Sequence, residues 1–504
     1  MAGSRRSNVI IIHPDLGIGG AERLIIDVAL ALQKRGHQVT IYTSHRDKAH
    51  CFEEARDGTL DVRVRGNTLF PALVFGRLHL LMAVLRQLHL TVSVLTEMGR
   101  TNKKEGNEKK KTETKGADDD EFEDDIFIVD QLPACVPILK TLGPRFAAGR
   151  NRNGRQRGKQ RILFYCHFPD QLLARRDEGS ALMRLLKGLY RCPFDWFEGW
   201  AMSASDKVVA NSKFTRGVVS QVFGLSRLGD VKVVYPCVDT SEALTAKGTG
   251  KEETIIGDNL WGGKKIFLSI NRFERKKDVG LAIRAYHGLG KEGRKGTRLV
   301  IAGGYDNRVQ ENVQYHKELD TLAQELGLQT ATSNTVISAL SIPDSIDVLF
   351  LLSVPTAFKQ TLLRNAKLLL YTPINEHFGI VPVEAMHAGL PVLASNTGGP
   401  LETIVEGETG WLRDARKVDE WTAIMRKVLF EMDEQEFARM AANGKKRAES
   451  EFSLTALGDR LEEEIQDMLD SRRRPFMGFQ QLVVGFILSG SVVAILAAAI
   501  LKTV

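Results

Sequence analysis

An unbroken apolar run that stops at a loop and hands over to a proline-started helix admits few folds, and residues 367–386 carry one. Lys367-Leu368-Leu369-Leu370-Tyr371 lacks polar alternation, which marks a strand covered on both faces, as in a parallel sheet. Thr372-Pro373 ends the strand, Pro382 suits the first turn of the following helix, and a second apolar run occupies 391–396. Open α/β sheets bind ligands outside the carboxyl ends of their strands, where a helix start presents free N–H groups and the positive end of its dipole. A diphosphate fits such a place. Glu376 then falls in the loop and Glu384 in the first helical turn, eight residues apart. Glu384 is positioned to accept both hydroxyls of a ribose, and Glu376 to hold a second polyhydroxylated group. Glutamates favour first turns for dipole reasons alone, so the pair is no signature without its surroundings.

The surroundings repeat the pattern. Strands are expected at 8–12, 38–43, 61–65, 125–129, 161–166, 207–211 and 231–235, alternating with helical stretches, and a second series opens at 265–271 and continues near 298–302, 347–352, 367–371 and 391–395. With 504 residues the chain exceeds one ordinary core, so the reading is two Rossmann-like domains, 1–245 and 255–450, followed by a charged amphipathic helix over 452–471. Gly17-Ile18-Gly19-Gly20 lies between the first strand and its helix and leaves bare backbone at Gly19 and Gly20 for a phosphate or sugar. His167 stands at the carboxyl end of the 161–166 strand. Arg272 and Lys277 follow the 265–271 strand, and two cations there neutralise a departing diphosphate without a metal.

Composition bounds the rest. A net charge of +7 suits an anionic partner, but the basic residues are not interleaved with aromatics as nucleic-acid stacking requires. Five scattered cysteines with no paired spacing point to a reducing compartment and to no metal centre. Residues 103–125 and 149–161 are low-complexity charged segments, expected as disordered insertions, and Asp118-x-Asp120 within the first reads as solvated charge rather than a metal site. Residues 70–95 are apolar yet carry Arg77, His79, Arg86 and His89, and read either as a core helix or as one lying in a membrane interface. Leu482–Leu501 is 20 residues without a charge, preceded by Arg472-Arg473-Arg474, and is expected to span a bilayer with the arginines cytosolic.

Glu376-x7-Glu384 after a strand, with Asn396-Thr397-Gly398-Gly399-Pro400 after the next, resembles the nucleotide-sugar site of retaining glycosyltransferases of family 4. His13–Arg23, Tyr165–Leu173 and Ser269–Asp278 resemble that family too, and most resemble its fungal mannosyltransferases acting on dolichol-linked oligosaccharides. The resemblance implies the GT-B fold, two Rossmann-like domains facing across a cleft. It implies GDP-mannose as donor, Man1GlcNAc2-diphospho-dolichol as acceptor, and addition of an α-1,3 and an α-1,6 mannose at the endoplasmic reticulum membrane with the catalytic domains cytosolic. It also implies membrane lipid and other mannosyltransferases of the pathway as partners, and no metal cofactor. Residue by residue, it assigns catalytic roles to His167, Arg272, Lys277 and Glu376. Donor binding falls to Gly19, Gly20, Phe378, Gly379, Ile380, Val381 and Glu384. A family 4 enzyme with another lipid-linked acceptor, or a non-catalytic membrane scaffold of this fold, are the alternatives.

Overall fold

The computed structural model describes residues 5–48, 50–71, 78–108, 124–147, 159–173, 181–224, 228–240 and 260–476. Two compact units divide the chain, one comprising residues up to Tyr235 together with those from Leu457 onward, the other Pro236–Ala456. The division falls about ten residues ahead of the expected boundary, because Val238 already donates its N–H to Phe452 within the second unit.

In the first unit the strands are β1 (Ser7–Asp15), β2 (Gln38–His45), β3 (Asp61–Val64), β4 (Asp124–Asp130), β5 (Gln160–Cys166), β6 (Lys207–Ala210) and β7 (Lys232–Val233). They form one parallel sheet in the order β3-β2-β1-β4-β5-β6-β7. Its helices include α1 (Gly20–Lys34), α2 (His79–Glu108), α3 (Val136–Ala147), α4 (Asp170–Leu173), α5 (Ala181–Ser203) and α6 (Lys213–Phe223). β4 and β5 are buried at every residue, as their unbroken apolar runs require when helices cover both faces.

Two sequence expectations need correction here. Residues 103–108, read as the start of an insertion, continue α2, and 160–161, read as the end of one, begin β5; 109–123 and 148–158 lie outside the described residues. Of the two readings of 70–95, α2 packs as a core helix along one face, burying Met82, Leu90, Val94 and Leu95, while Arg86 pairs with Asp15 at 2.7 Å rather than reaching outward. By length and composition alone, its residues 79–100 would also suffice to cross a membrane. The uncharged stretch 482–501 lies outside the described residues.

The second unit contains β8 (Lys265–Ile270), β9 (Thr297–Gly303), β10 (Thr330–Ser333), β11 (Val348–Leu352), β12 (Ala366–Tyr371), β13 (Val392–Ser395) and β14 (Gly410–Arg413). They also form one parallel sheet, in the order β10-β11-β9-β8-β12-β13-β14. The helices used below are α7 (Gly280–Gly288), α8 (Gln310–Glu325), α9 (Thr356–Asn365), α10 (Ile380–His387), α11 (Val418–Phe430) and α12 (Glu434–Phe452). α7 and α11 close one face over Tyr286, Trp421 and Met425, all fully buried. The last helix among the described residues, α13 (Leu454–Asp470), returns the chain to the first unit from Leu457 onward and there binds it through polar anchors: Asp459 pairs with Arg35 at 2.6 Å and Glu462 meets His37 at 2.7 Å.

Each sheet reverses its winding once, at β1/β4 and at β8/β12. At such switch points adjacent crossover helices lie on opposite faces and leave a crevice at the carboxyl ends of the strands. Chemistry is therefore expected at the residues that follow β1, β4, β8 and β12.

Candidate active site

The β8/β12 switch collects most of the expected residues. After β8, the chain passes Arg272 and makes a single 3-10 turn, Arg275–Lys277, closed by Asp278 in the left-handed region at φ 43°. That turn delivers the Lys277 ammonium onto the Glu376 carboxylate in the loop after β12, where the two form a short ion pair. The Thr372 hydroxyl donates to the Lys277 carbonyl at 2.7 Å and locks the two strand ends together. Burial alone would raise the Glu376 pKa; the Lys277 charge, its hydrogen bond and the Tyr371 hydroxyl outweigh it and hold the carboxyl below its ordinary value. Tyr371 pays the counterpart: burial first, then the neighbouring Glu376 charge, push its phenol well above the ordinary value. Arg272 is 60% exposed, its nearest carboxylate being Glu274 at 3.9 Å, so its guanidinium remains available to an anion.

Glu384 sits one turn further. α10 begins at Ile380, with Gly379 at φ 82° as its N-cap, so Glu384 occupies the second turn rather than the first, and the dipole explanation for its presence weakens. A side chain at Gly379 would be strained by that φ and would press on the Tyr371 ring at 3.2 Å. Lys359 on α9 donates to Glu384 Oε1 at 2.8 Å, whereas Oε2 is buried with no hydrogen-bond partner among the described residues. A buried carboxylate oxygen without a donor is costly unless a ligand supplies one. Ile380 and Val381 contribute the free N–H groups at the helix start. Phe378 differs from expectation in one respect: its ring is buried against Phe452 at 5.6 Å, so only its backbone can meet a donor. The loop after β13 braces this arrangement, since Gly399 donates to the Glu376 carbonyl at 2.7 Å and any Cβ there would collide with the Phe378 backbone.

At the β1/β4 switch of the first unit stands a group whose centre sequence reasoning missed. Asp130, the last residue of β4, is fully buried. It accepts from His13 Nδ1 at 2.9 Å and from His167 Nε2 at 3.0 Å. His13 Nε2 lies 3.1 Å from the Asp15 carbonyl, which can only accept, so both nitrogens of this ring face acceptors and the imidazolium is favoured. Its pKa is raised accordingly: burial opposes the charge, and the Asp130 carboxylate overcomes burial. Asp130 is lowered in turn, against its own burial, by His13 and then His167. His167 is thus held through Nε2 at the strand end where the sequence located it. Gly19 and Gly20 open α1 nearby in the chain, Gly19 in extended conformation at φ −167°. The available signal for Asp130 was a carboxylate terminating an otherwise apolar strand, Ile126-Phe127-Ile128-Val129-Asp130.

Comparison with known proteins agrees with this layout. A model of glycosyl transferases group 1 matches residues 251–447, and one of glycosyltransferase family 4 matches 18–93 and 141–242. The alpha-1,3/1,6-mannosyltransferase of Neurospora crassa is 48% identical over 92% of this chain and 91% of its own. Those of Rhizomucor pusillus and Candida albicans are 43% and 41% identical, over 91% and 90% of this chain and 91% and 97% of theirs. Among solved structures, sucrose-phosphate synthase from Thermosynechococcus elongatus superposes with TM-score 0.59 at 15% identity over 92% of this chain and 99% of its own. Anabaena HepE in complex with UDP and glucose gives 0.58 at 18% over 92% of this chain and 100% of its own. At such identities the structures speak for the fold alone, which is GT-B. The family follows from the sequence relatives: the chain belongs to the alpha-1,3/1,6-mannosyltransferases of glycosyltransferase family 4.

Proposed function

We propose that this chain is a retaining mannosyltransferase that takes mannose from GDP-mannose and adds an α-1,3 and an α-1,6 mannose to Man1GlcNAc2-diphospho-dolichol, giving Man3GlcNAc2-diphospho-dolichol. The observation that carries the donor half is the pairing of Lys277 with Glu376 beside the orphaned Glu384 Oε2 at the β8/β12 switch. In the absence of donor, Glu376 keeps the Lys277 ammonium in place and compensated. An arriving diphosphate competes for that ammonium, joined by Arg272 and the N–H groups at Ile380 and Val381, and stabilises most strongly once the bond to mannose C1 breaks and charge collects on the leaving phosphate. Glu376, released from Lys277, accepts hydroxyls of the mannose, and Glu384 Oε2 accepts the ribose. The acceptor hydroxyl attacks C1 from the face that the phosphate leaves, passing its proton to that phosphate, so the configuration is retained. Cationic side chains and the helix start carry the charge that a metal carries elsewhere, and the reaction is proposed to be metal-independent.

His167, oriented by Asp130, is assigned to the sugar or acceptor. The arginines at 472–474 before the uncharged 482–501 support a cytosolic catalytic body on the endoplasmic reticulum membrane. Incubating the detergent-solubilised protein with GDP-mannose, synthetic Man1GlcNAc2-diphospho-lipid and EDTA, then analysing mass and linkage, tests the whole reading. Two added hexoses, one α-1,3 and one α-1,6, are expected. Binding of GDP-mannose without transfer would retain the donor assignment and reject the acceptor; transfer abolished by EDTA would reject metal independence.

A further inference from the structure

A helix on the surface of a soluble domain turns its polar side outward, and α5 does the reverse. Among its described side chains, Ala181, Leu185, Leu189, Cys192 and Trp196 are exposed at spacings of 4, 4, 3 and 4, a straight apolar stripe with the exposed Arg184 beside it. Leu185 is 60% exposed, Leu189 49% and Trp196 49%, and the adjoining α4 adds Leu172 at 51% and Leu173 at 56%. The opposite side of α5 is where its one buried carboxylate lies: Glu198 accepts the N–H groups of Asp170 and Gln171 at 2.7 and 3.2 Å, fastening α4 to α5. Isolated exposed leucines are ordinary, but a contiguous stripe marks a surface that something covers.

Three observations identify the cover. Trp196 stacks on Trp200 at 6.0 Å and 11°, and Trp200 packs on Phe476 at 5.2 Å, so the last described residue of the chain rests on this same helix. Leu482, the first of the 20 uncharged residues, follows six residues later, within about 22 Å of chain even when fully extended. Arg184 is exposed beside Leu185 and Leu189, where a long basic side chain reaches anionic headgroups. A tryptophan in the same stripe has the amphipathic ring that favours the headgroup level. We infer that the α4–α5 face is a bilayer-docking surface, with the stripe immersed at the acyl boundary of an anionic membrane. This rests on the membrane reading of 482–501 but on no step of mannosyl transfer.

Cys192 lies within the stripe and is the one exposed cysteine, the other four being buried. The full chain is labelled there with an environment-sensitive nitrobenzoxadiazole dye and reconstituted into vesicles of phosphatidylcholine and phosphatidylserine. Docking predicts a blue-shifted emission, quenched about twofold or more by lipids carrying a doxyl group in the acyl chain. Leu185→Glu with Leu189→Glu should abolish that quenching while leaving the far-ultraviolet circular dichroism and GDP-mannose binding unchanged. Since both positions are exposed, folding is not at stake, and Trp196→Ser provides an independent variant. A dye as accessible to aqueous iodide as in the unfolded chain overturns the proposal. So does a blue-shifted dye that doxyl lipids do not quench, because the face would then be covered by protein. Failure of transfer with quenching intact rejects the acceptor assignment and leaves the docking surface standing.

Discussion

The side chains that matter in this protein lie at strand ends, and two of them are legible as a pair only once folded. Lys277 and Glu376 are 99 residues apart in sequence yet share one ion pair. Lys277→Ala removes a cation that strengthens its contact as the leaving group gains charge, so about 3 kcal/mol of transition-state stabilisation, roughly a hundredfold in turnover, should be lost. Unchanged turnover in a purified assay would remove Lys277 from the site. Asp130 makes a different kind of prediction. His13 has a folded pKa raised above its ordinary 6.5, so its contribution to stability is complete below that value and declines as pH rises through the raised one. Asp130 is lowered, so its contribution is present above the ordinary 3.8 and is lost as pH falls. Asp130→Asn should cost about 3 kcal/mol near neutrality by stranding a buried imidazolium. It should also flatten the decline in thermal midpoint as pH rises above the ordinary imidazole range. A variant that melts as the wild type does at both ends would refute the pair. Arg272, Lys277, Glu376, Glu384 and His167 were readable because each lies at or shortly beyond the end of an apolar run, within a stretch that resembles the family. Asp130 was not: its partner His13 is 117 residues away, and nothing local says that β1 and β4 are neighbours.

Elements were read with uneven success for a physical reason. Central strands such as β4, β5, β11 and β12 announce themselves by unbroken apolar runs, whereas the edge strands β10, Thr330-Ala331-Thr332-Ser333, and β14, Gly410–Arg413, bury less and were missed. α10 starts at Ile380 because Gly379 can adopt the left-handed cap, so Pro382 lies in its first turn as expected while Glu384 falls in the second. The joint between α4 and α5 adds a pH-dependent element. Burial is the main cause that lifts the Glu198 carboxyl from 4.5 to about 7, with Asp170 adding to it and the N–H groups of Asp170 and Gln171 opposing it. A raised folded pKa means that stability is complete below the unfolded value and is lost as pH rises through the folded one. The wild type therefore carries the full cost of the ion above about pH 7, on the order of 3 kcal/mol for a rise from 4.5 to about 7. Glu198→Gln, which retains an acceptor for one N–H, should raise the thermal midpoint above about pH 7 and leave it nearly unchanged at about pH 5. An equal change at both would indicate packing and not ionisation.

On the scale of the molecule, two parallel sheets each reverse once, and each reversal coincides with a cluster of polar side chains: His13, Asp130 and His167 at one, Arg272, Lys277 and Glu376 at the other. Helix α13 serves the first unit, where Lys207 meets Glu464 at 2.6 Å. A chain ended after Phe476 keeps that helix and the folded units but loses the uncharged 482–501. It should be released from membranes by carbonate washing, and it should still bind phosphatidylserine vesicles through α4–α5, more weakly and with strong salt dependence. Full retention after carbonate would transfer the anchoring to the described residues, where α2 is the apolar helix of sufficient length.

Apolar runs, glycine loops and the eight-residue spacing of two glutamates are local properties, and local properties are what sequence carries. They determined that this chain forms parallel α/β units, that Glu376 and Glu384 flank a helix start, and that cations follow the first strand of the second unit. The order of strands is not local. Only the tertiary structure decided that β1 lies against β4, which turns a strand-terminal aspartate into the shared acceptor of two histidines. It alone decided that Lys359 occupies one oxygen of Glu384 and leaves the other unmet. It alone decided which face of α5 is left outside, because burial is settled by what packs against a helix and not by the residues it contains.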